Sequence, residues 1–173
     1  MAEDTKKVEE EKSSDERVRA GLSEAEMRAN VVRLAFGNDA RRLDEFVAVI
    51  GAAVPNNTAV VLRGSSVTGT RWEDGAPFDA DGPGTSDIDL TLVGGDILDF
   101  FLPHGFCITG IHTKPLSEKD PDIAPMLIEL RRELTAMAGR PVNIQGTRDW
   151  IMFVREYLMG QPYLTILGRL EEA

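Results

Sequence analysis

The apolar positions change spacing several times along the chain, and each change marks an element. Residues 1–20, MAEDTKKVEEEKSSDERVRA, mix acidic and basic side chains with almost nothing apolar. Such a segment cannot bury enough surface to order itself, so a charged, disordered arm is expected there. Ser23 and Glu26 then form a capping box ahead of Val31, Val32, Leu34 and Ala35, which predicts a helix stopped by Gly37. Asn38 or Asp39 caps a second helix, in which Leu43, Phe46, Val47 and Ile50 recur at helical spacing.

After the turn Pro55-Asn56-Asn57 the pattern becomes a short continuous apolar run, AVVL, as in a strand buried on both faces. It ends at Gly64-Ser65-Ser66, and a Gly/Pro/Asp-rich loop follows over 69–86. The stretch TSDIDLTLVGG alternates. Asp87, Asp89 and Thr91 fall on one strand face, and Ile88, Leu90 and Leu92 on the other. DILDFFL predicts a short helix and FCITGI a further strand or extended segment. Asp122 is the expected cap of a helix reaching about Ala138, with Leu127, Leu130, Leu134 and Met137 as its stripe and Pro125 in its first turn. Gly139 stops it. PVNIQ reads as a strand and DWIMFVREYL as a last helix. The order predicts one domain over 21–173 of α/β or α+β class, a mixed sheet flanked by helices, with two helices preceding the sheet.

Composition narrows the function classes. The 173 residues carry a net charge of −10, which argues against an extended surface for gripping nucleic acid. Cys107 is the single cysteine, so neither an intrachain disulfide nor a cysteine zinc site can form, and its expected role is that of a small buried hydrophobe. No apolar run approaches the about 18 residues of a membrane helix, and the N-terminus lacks an apolar leader core; a cytoplasmic protein without membrane contact is expected.

The candidate chemistry lies in the alternating strand. Two carboxylates on one strand face repel each other, and aspartate disfavours strands. A divalent cation between Asp87 and Asp89 removes the repulsion. Mg²⁺ (or Mn²⁺) suits such a pair, because it is held by one or two carboxylates together with substrate phosphates and water. The Gly64 turn lets backbone N–H groups approach an anion, and the Ser65 and Ser66 hydroxyls add donors. A phosphate cradle beside a metal-holding strand is apparatus for phosphoryl or nucleotidyl transfer. Arg63, Arg71 and Lys114 are the candidate cations for phosphate, Arg71 lying on a loop expected to be mobile.

VVLRGSSVTG followed by SDIDLTLVG resembles the signature of the DNA polymerase beta-like nucleotidyltransferase superfamily: a hydrophobic strand, Gly-Ser, then a strand reading Asp-hydrophobic-Asp-hydrophobic. The resemblance implies the minimal nucleotidyltransferase fold, with Gly64 and Ser65 at the triphosphate-holding turn and Gly69 at its far end. It also implies Asp87 and Asp89 as the metal pair, with Mg²⁺ and a nucleoside triphosphate such as ATP as partners. The acceptor of the transferred nucleotide, whether protein, small molecule or RNA, is not specified. The chain departs from the pattern in its long 70–86 insertion, which adds Asp79 and Asp81, and in lacking an acceptor-binding domain. It departs again on PVNIQ, where Asn143 and Gln145 stand at the positions of the family's third carboxylate. An amide oxygen ligates a cation but accepts a proton poorly. Asp149 is an alternative third acid if the strand–helix turn brings it round. These departures favour, as the alternative, a catalytically weak or inactive nucleotide-binding module of the same fold.

Other motifs fit less well. DADGPGTSDIDL starts like a calcium loop at Asp79, Asp81 and Gly84, but has Pro83 and Leu90 where ligands are required. GSSVTGTR spaces two glycines like a Walker A loop and lacks its Lys-Ser/Thr pair. Ser66 has no G-x-S-x-G context, and His104 and His112 read as loop or surface residues. Trp72 and Trp150 read as packing residues. A plain solvated strand beside a plain turn, or an interaction protein without a ligand, remains the alternative to a site.

Overall fold

The computed structural model describes residues 21–172. The expected charged arm lies outside the described residues.

The N-terminal helices form where their caps dictate. Helix α1, Glu24–Ala35, begins at the capping box: Ser23 Oγ accepts from the Glu26 N–H at 3.2 Å, and Glu26 Oε2 accepts from the Ser23 N–H at 2.7 Å. Gly37 and Asn38 both take positive φ, which ends the helix and redirects the chain. Asp39, not Asn38, then caps α2, Ala40–Ala53, by accepting from the Arg41 N–H.

Six strands make one mixed sheet. They are β1 (Ala59–Arg63), β2 (Ile88–Val93), β3 (Phe106–Ile108), β4 (His112–Thr113), β5 (Val142–Thr147) and β6 (Tyr163–Leu167). The order is β3-β4-β5-β2-β1-β6. β2 and β5 run parallel, with Asp89 opposite Asn143 and Thr91 opposite Gln145, and the remaining pairs are antiparallel. A short helix α3, Ser65–Thr68, follows β1.

The pleat sorts side chains onto two unlike faces. Val60, Leu62, Ile88, Leu90, Leu92, Val142, Ile144, Leu164 and Ile166 point to one side. There they pack against Val31 of α1, Leu43, Phe46 and Ile50 of α2, and Leu130 and Leu134 of α4 (Ile128–Ala138), the main core. Burying each such side chain stabilises the fold by about 1.5–3 kcal/mol. The opposite face carries a small apolar patch, Ala59, Val61 and Val93, packed against Trp150 and Tyr163. Beside that patch come the polar residues Arg63, Asp89, Thr91, Asn143 and Gln145, in register across three strands. With α1, α2 and α4 packed on the first face and the short helix at Trp150–Phe153 against part of the second, the polar residues of that second face can present chemistry.

Several expectations need correction. The helix expected from Asp122 starts later. Ala124 precedes Pro125 and is pushed out of helical geometry (φ −142°, ψ 78°), a tight 3₁₀ turn covers Pro125–Leu127, and α4 begins only at Ile128. Asp122 faces His104 instead, at 3.6 Å. The last expected helix covers the expected residues but changes winding: one α turn, α5, Trp150–Phe153, continues directly as a wider π turn over Val154–Leu158 that closes at Met159 with positive φ. Beyond it lies β6, a strand not expected from the sequence. It completes the sheet by pairing antiparallel with β1. Cys107 is exposed rather than buried, with its sulfur 3.2 Å from the Tyr157 hydroxyl. His112 is fully buried, not a surface residue: Nδ1 lies 2.5 Å from Thr147 Oγ1, and the rings of Phe153 and Tyr157 pack edge-on against it. Burial holds its pKa below the usual histidine value.

Candidate functional site

The long loop 69–86 is built, not loose. Phe78 N–H returns to the Gly69 carbonyl at 2.9 Å, and Thr70 bridges Pro77. Arg140, from the turn before β5, grips Asp79 with both terminal nitrogens, at 2.8 and 3.1 Å, and lies over the Phe78 ring at 4.4 Å. Asp79 also accepts from the Ser86 and Gly84 N–H groups. The Arg140 hydrogen bonds lower the Asp79 pKa to about 2. Asp79 is therefore a staple that fixes the chain immediately before Asp87, which disposes of the calcium-loop reading. Arg71 is likewise fixed, paired with Asp74 at 3.3 Å and with Asp81 at 3.0 Å.

This loop, the β1–α3 turn and the start of β2 enclose a polar cleft of about 240 Å³. Arg63, Gly64, Ser65, Asp87 and Asp89, five of the residues singled out in the sequence, line it together with Arg71 and Asp81. Gly64 has φ +85°, and a Cβ built on it would sit 3.0 Å from Asp89 Oδ2. Only glycine lets the turn and the carboxylate approach this closely. α3 starts at Ser65, so the N–H groups of its first residues have no intrahelical acceptor. Gly69, also at positive φ, ends α3 with its N–H on the Ser65 carbonyl at 2.8 Å.

The carboxylate pair converges on one atom. Asn143 Nδ2 donates to Asp87 Oδ2 at 3.0 Å and to Asp89 Oδ1 at 3.1 Å. Asp87 is exposed, whereas Asp89 lies deeper. Burial raises the Asp89 pKa, Arg63 and the Asn143 amide pull it back, and the charges of Asp87 and Glu73 push it further up.

Four expected site residues stand elsewhere. Ser66 is fully buried and its Oγ has no hydrogen-bond partner among the described residues, so its side chain is no donor to the cleft. Gln145 is buried with both ends of its amide engaged: Oε1 accepts from Arg63 at 3.0 Å, and Nε2 donates to the Thr113 carbonyl at 2.7 Å. Lys114 is exposed and does not line the cleft. Asp149 caps α5 through the Met152 N–H. It follows the far end of β5, at least roughly 13 Å along the strand from Asn143. Arg63 reaches across the sheet to Thr91 and Gln145 and lies 5.9 Å from the Phe153 ring centre, while still bordering the cleft.

Trp72, expected only as a packing residue, also lines the cleft, as do Glu73, Thr85, Ser86 and Gln161, which the sequence did not single out. Trp72 and Glu73 sit in a loop without periodicity, and Gln161 arrives from the unexpected approach to β6, so spacing offered no signal for them. Trp150 is a packing residue as expected, stacked on Phe153 and edge-on to Tyr163. Among the described residues, no three His, Cys, Asp or Glu side chains are grouped closely enough to hold a metal. No helix among them is long and apolar enough to cross a membrane. No family model matches the chain, and no curated protein or solved structure is significantly similar to it.

Proposed function

We propose that the protein is a Mg²⁺-dependent nucleotidyltransferase of the DNA polymerase beta-like fold, moving a nucleoside monophosphate from a triphosphate to an acceptor. The observation that carries this reading is the convergence of Asp87 and Asp89 on one point, 3.0 and 3.1 Å away, directly beside a glycine turn where a Cβ on Gly64 would sit 3.0 Å from Asp89 Oδ2. Two carboxylates aimed at one position suit a hard divalent cation. The Asn143 amide group now at that position would have to turn, and its Oδ1 could then join the ligands. Bound there, Mg²⁺ would neutralise phosphate charge and orient the α-phosphate. Ser65 and the N–H groups opening α3 would hold the terminal phosphates, with Arg63 and Arg71 on the cleft wall as their counter-charges.

The second reading is a nucleotide-binding module with little or no turnover. Asn143 favours it, because the position opposite Asp89 holds an amide that cannot serve as a base. Pyrophosphate release from ATP and GTP, with Mg²⁺ or Mn²⁺ and a panel of acceptors, separates the two. Release abolished by Asp89→Asn supports the enzyme. Metal-dependent nucleotide stabilisation without release supports the module, and neither effect at millimolar nucleotide defeats both.

A further inference from the structure

Asp87 belongs to two clefts. Besides the one beneath the glycine turn, it lines a separate depression of about 280 Å³ with Pro115, Ser117, Glu118, Lys119, Pro141 and Asn143. The carboxylate pair and its bridging amide thus stand as a partition, with the phosphate cradle on one side and this second cleft on the other.

The wall of the second cleft is held in place by the sheet. Leu116 exchanges both backbone hydrogen bonds with Ile144, at 2.8 and 3.1 Å, which clamps the 114–119 segment along the start of β5. The Ser117 Oγ accepts from the Lys119 N–H at 3.3 Å. Pro141, on the other wall, is tied by its carbonyl to the Ile88 N–H at 2.9 Å. Lys119 and Glu118 are exposed, and neither forms an ion pair among the described residues.

Resting on the nucleotidyltransferase reading, we infer that this second cleft is the acceptor site, and that the acceptor is a small hydroxylated carboxylate. Its size lies just below the about 300–1,000 Å³ typical of sites for drug-sized ligands, so it suits a small molecule and not a polymer. The net charge of −10 also disfavours a nucleic-acid strand. Lys119 supplies one ammonium for one anionic group. Glu118 in the same cleft repels a second negative charge, which favours a carboxylate over a phosphate dianion. With its carboxylate on Lys119, a short acceptor in this cleft would have Asp87 and Asn143, which share the lining, available to its hydroxyl. In the transfer, the acceptor O–H bond breaks and its oxygen forms a bond to the α-phosphorus. The bond from that phosphorus to the bridging oxygen breaks, pyrophosphate leaves, and the proton passes to solvent.

The test is a ¹H–¹⁵N NMR titration of the full chain with D-glycerate, glycerol, glycerol 3-phosphate and a short RNA, each at millimolar concentration. D-Glycerate is expected to shift the amides of Ser117, Lys119 and Asn143 and leave those of Ser65 and Arg71 in place. Lys119→Ala, an exposed change, should weaken it about tenfold, the worth of a hydrogen bond to a charged group. No shift with D-glycerate, tighter binding of glycerol 3-phosphate or RNA, or equal affinity in Lys119→Ala would overturn the assignment. A parallel titration with Mg²⁺ and a non-hydrolysable ATP analogue keeps the two readings apart. Shifts at Gly64 and Ser65 support the nucleotide reading by themselves. D-Glycerate binding without them would leave a carboxylate site but defeat its role as acceptor site.

Discussion

Asn143 and Asp89 face each other across the parallel β2–β5 pair, with the amide nitrogen of one 3.1 Å from the carboxylate of the other. The same nitrogen reaches Asp87, so one neutral side chain links two like charges that the strand pleat brings together. Removing it exposes the repulsion. Asn143→Ala is expected to lower stability by about 1–3 kcal/mol in chelator, with part of the loss recovered by Mg²⁺. Urea denaturation with EDTA and with Mg²⁺ measures both. Asn143→Asp should show a larger Mg²⁺ dependence still and raise any pyrophosphate release. A variant whose stability ignores Mg²⁺ would count against a cation at this point.

Gly64 is the tightest point of the cradle. Gly64→Ala would force a side chain into positive φ and bring its Cβ to 3.0 Å from Asp89 Oδ2. A cost of about 1–3 kcal/mol is expected from the backbone alone, together with loss of nucleotide binding as the carboxylate is displaced. Thermal melts with and without Mg²⁺–ATP check both effects. Unchanged binding in a folded variant would show that the turn does not touch the ligand.

The neighbouring serines should separate cleanly. Ser65 lines the cleft, whereas Ser66 is buried with an unpartnered hydroxyl. Ser65→Ala should weaken nucleotide binding by about 1.5–3 kcal/mol. Ser66→Ala should leave affinity unchanged and stability equal or higher, because it removes a buried polar group that nothing satisfies. Calorimetric titration of both variants decides this, and a larger affinity loss in Ser66→Ala would reverse the assignment.

The Asp79–Arg140 staple makes stability depend on acid. The folded-state pKa of Asp79 is lowered to about 2 from the ordinary 3.8. A depressed carboxylate stabilises the fold fully above its unfolded value and loses that contribution as pH falls through its folded one. Asp79→Asn should therefore cost about 2 kcal/mol near neutrality. The gap to the wild type should close between pH 3.8 and about 2. Denaturation curves across that range test it. A gap that persists below pH 2 would mean the loss is not due to the charge.

Elements with local causes were legible in the order of residues alone. Ser23 and Glu26 are enough to start α1, since a capping box needs only residues three apart. The alternation in IDLTLV is enough to put Asp89 and Thr91 on one face and Ile88, Leu90 and Leu92 on the other. The glycine turn and the acidic strand were legible in the same way, because each is a contiguous stretch whose residue types contradict an ordinary strand or turn.

Tertiary structure alone decided what depends on distant partners. β6 forms because Tyr163–Leu167 finds the free edge of β1, a pairing that no local period announces. Asn143 meets Asp89, and not some other residue, through the register of two parallel strands more than fifty residues apart, which hydrophobic spacing cannot fix to a single residue. Gln145 shares the Asn143 face but is removed from the site by Arg63 and Thr113, and Ser66 is turned inward by the one-turn helix that keeps Ser65 in the cleft. The strand pattern says which face a side chain occupies. What it touches there is set by long-range packing, where hydrogen-bond geometry within a few tenths of an ångström separates a ligand position from a buried strut.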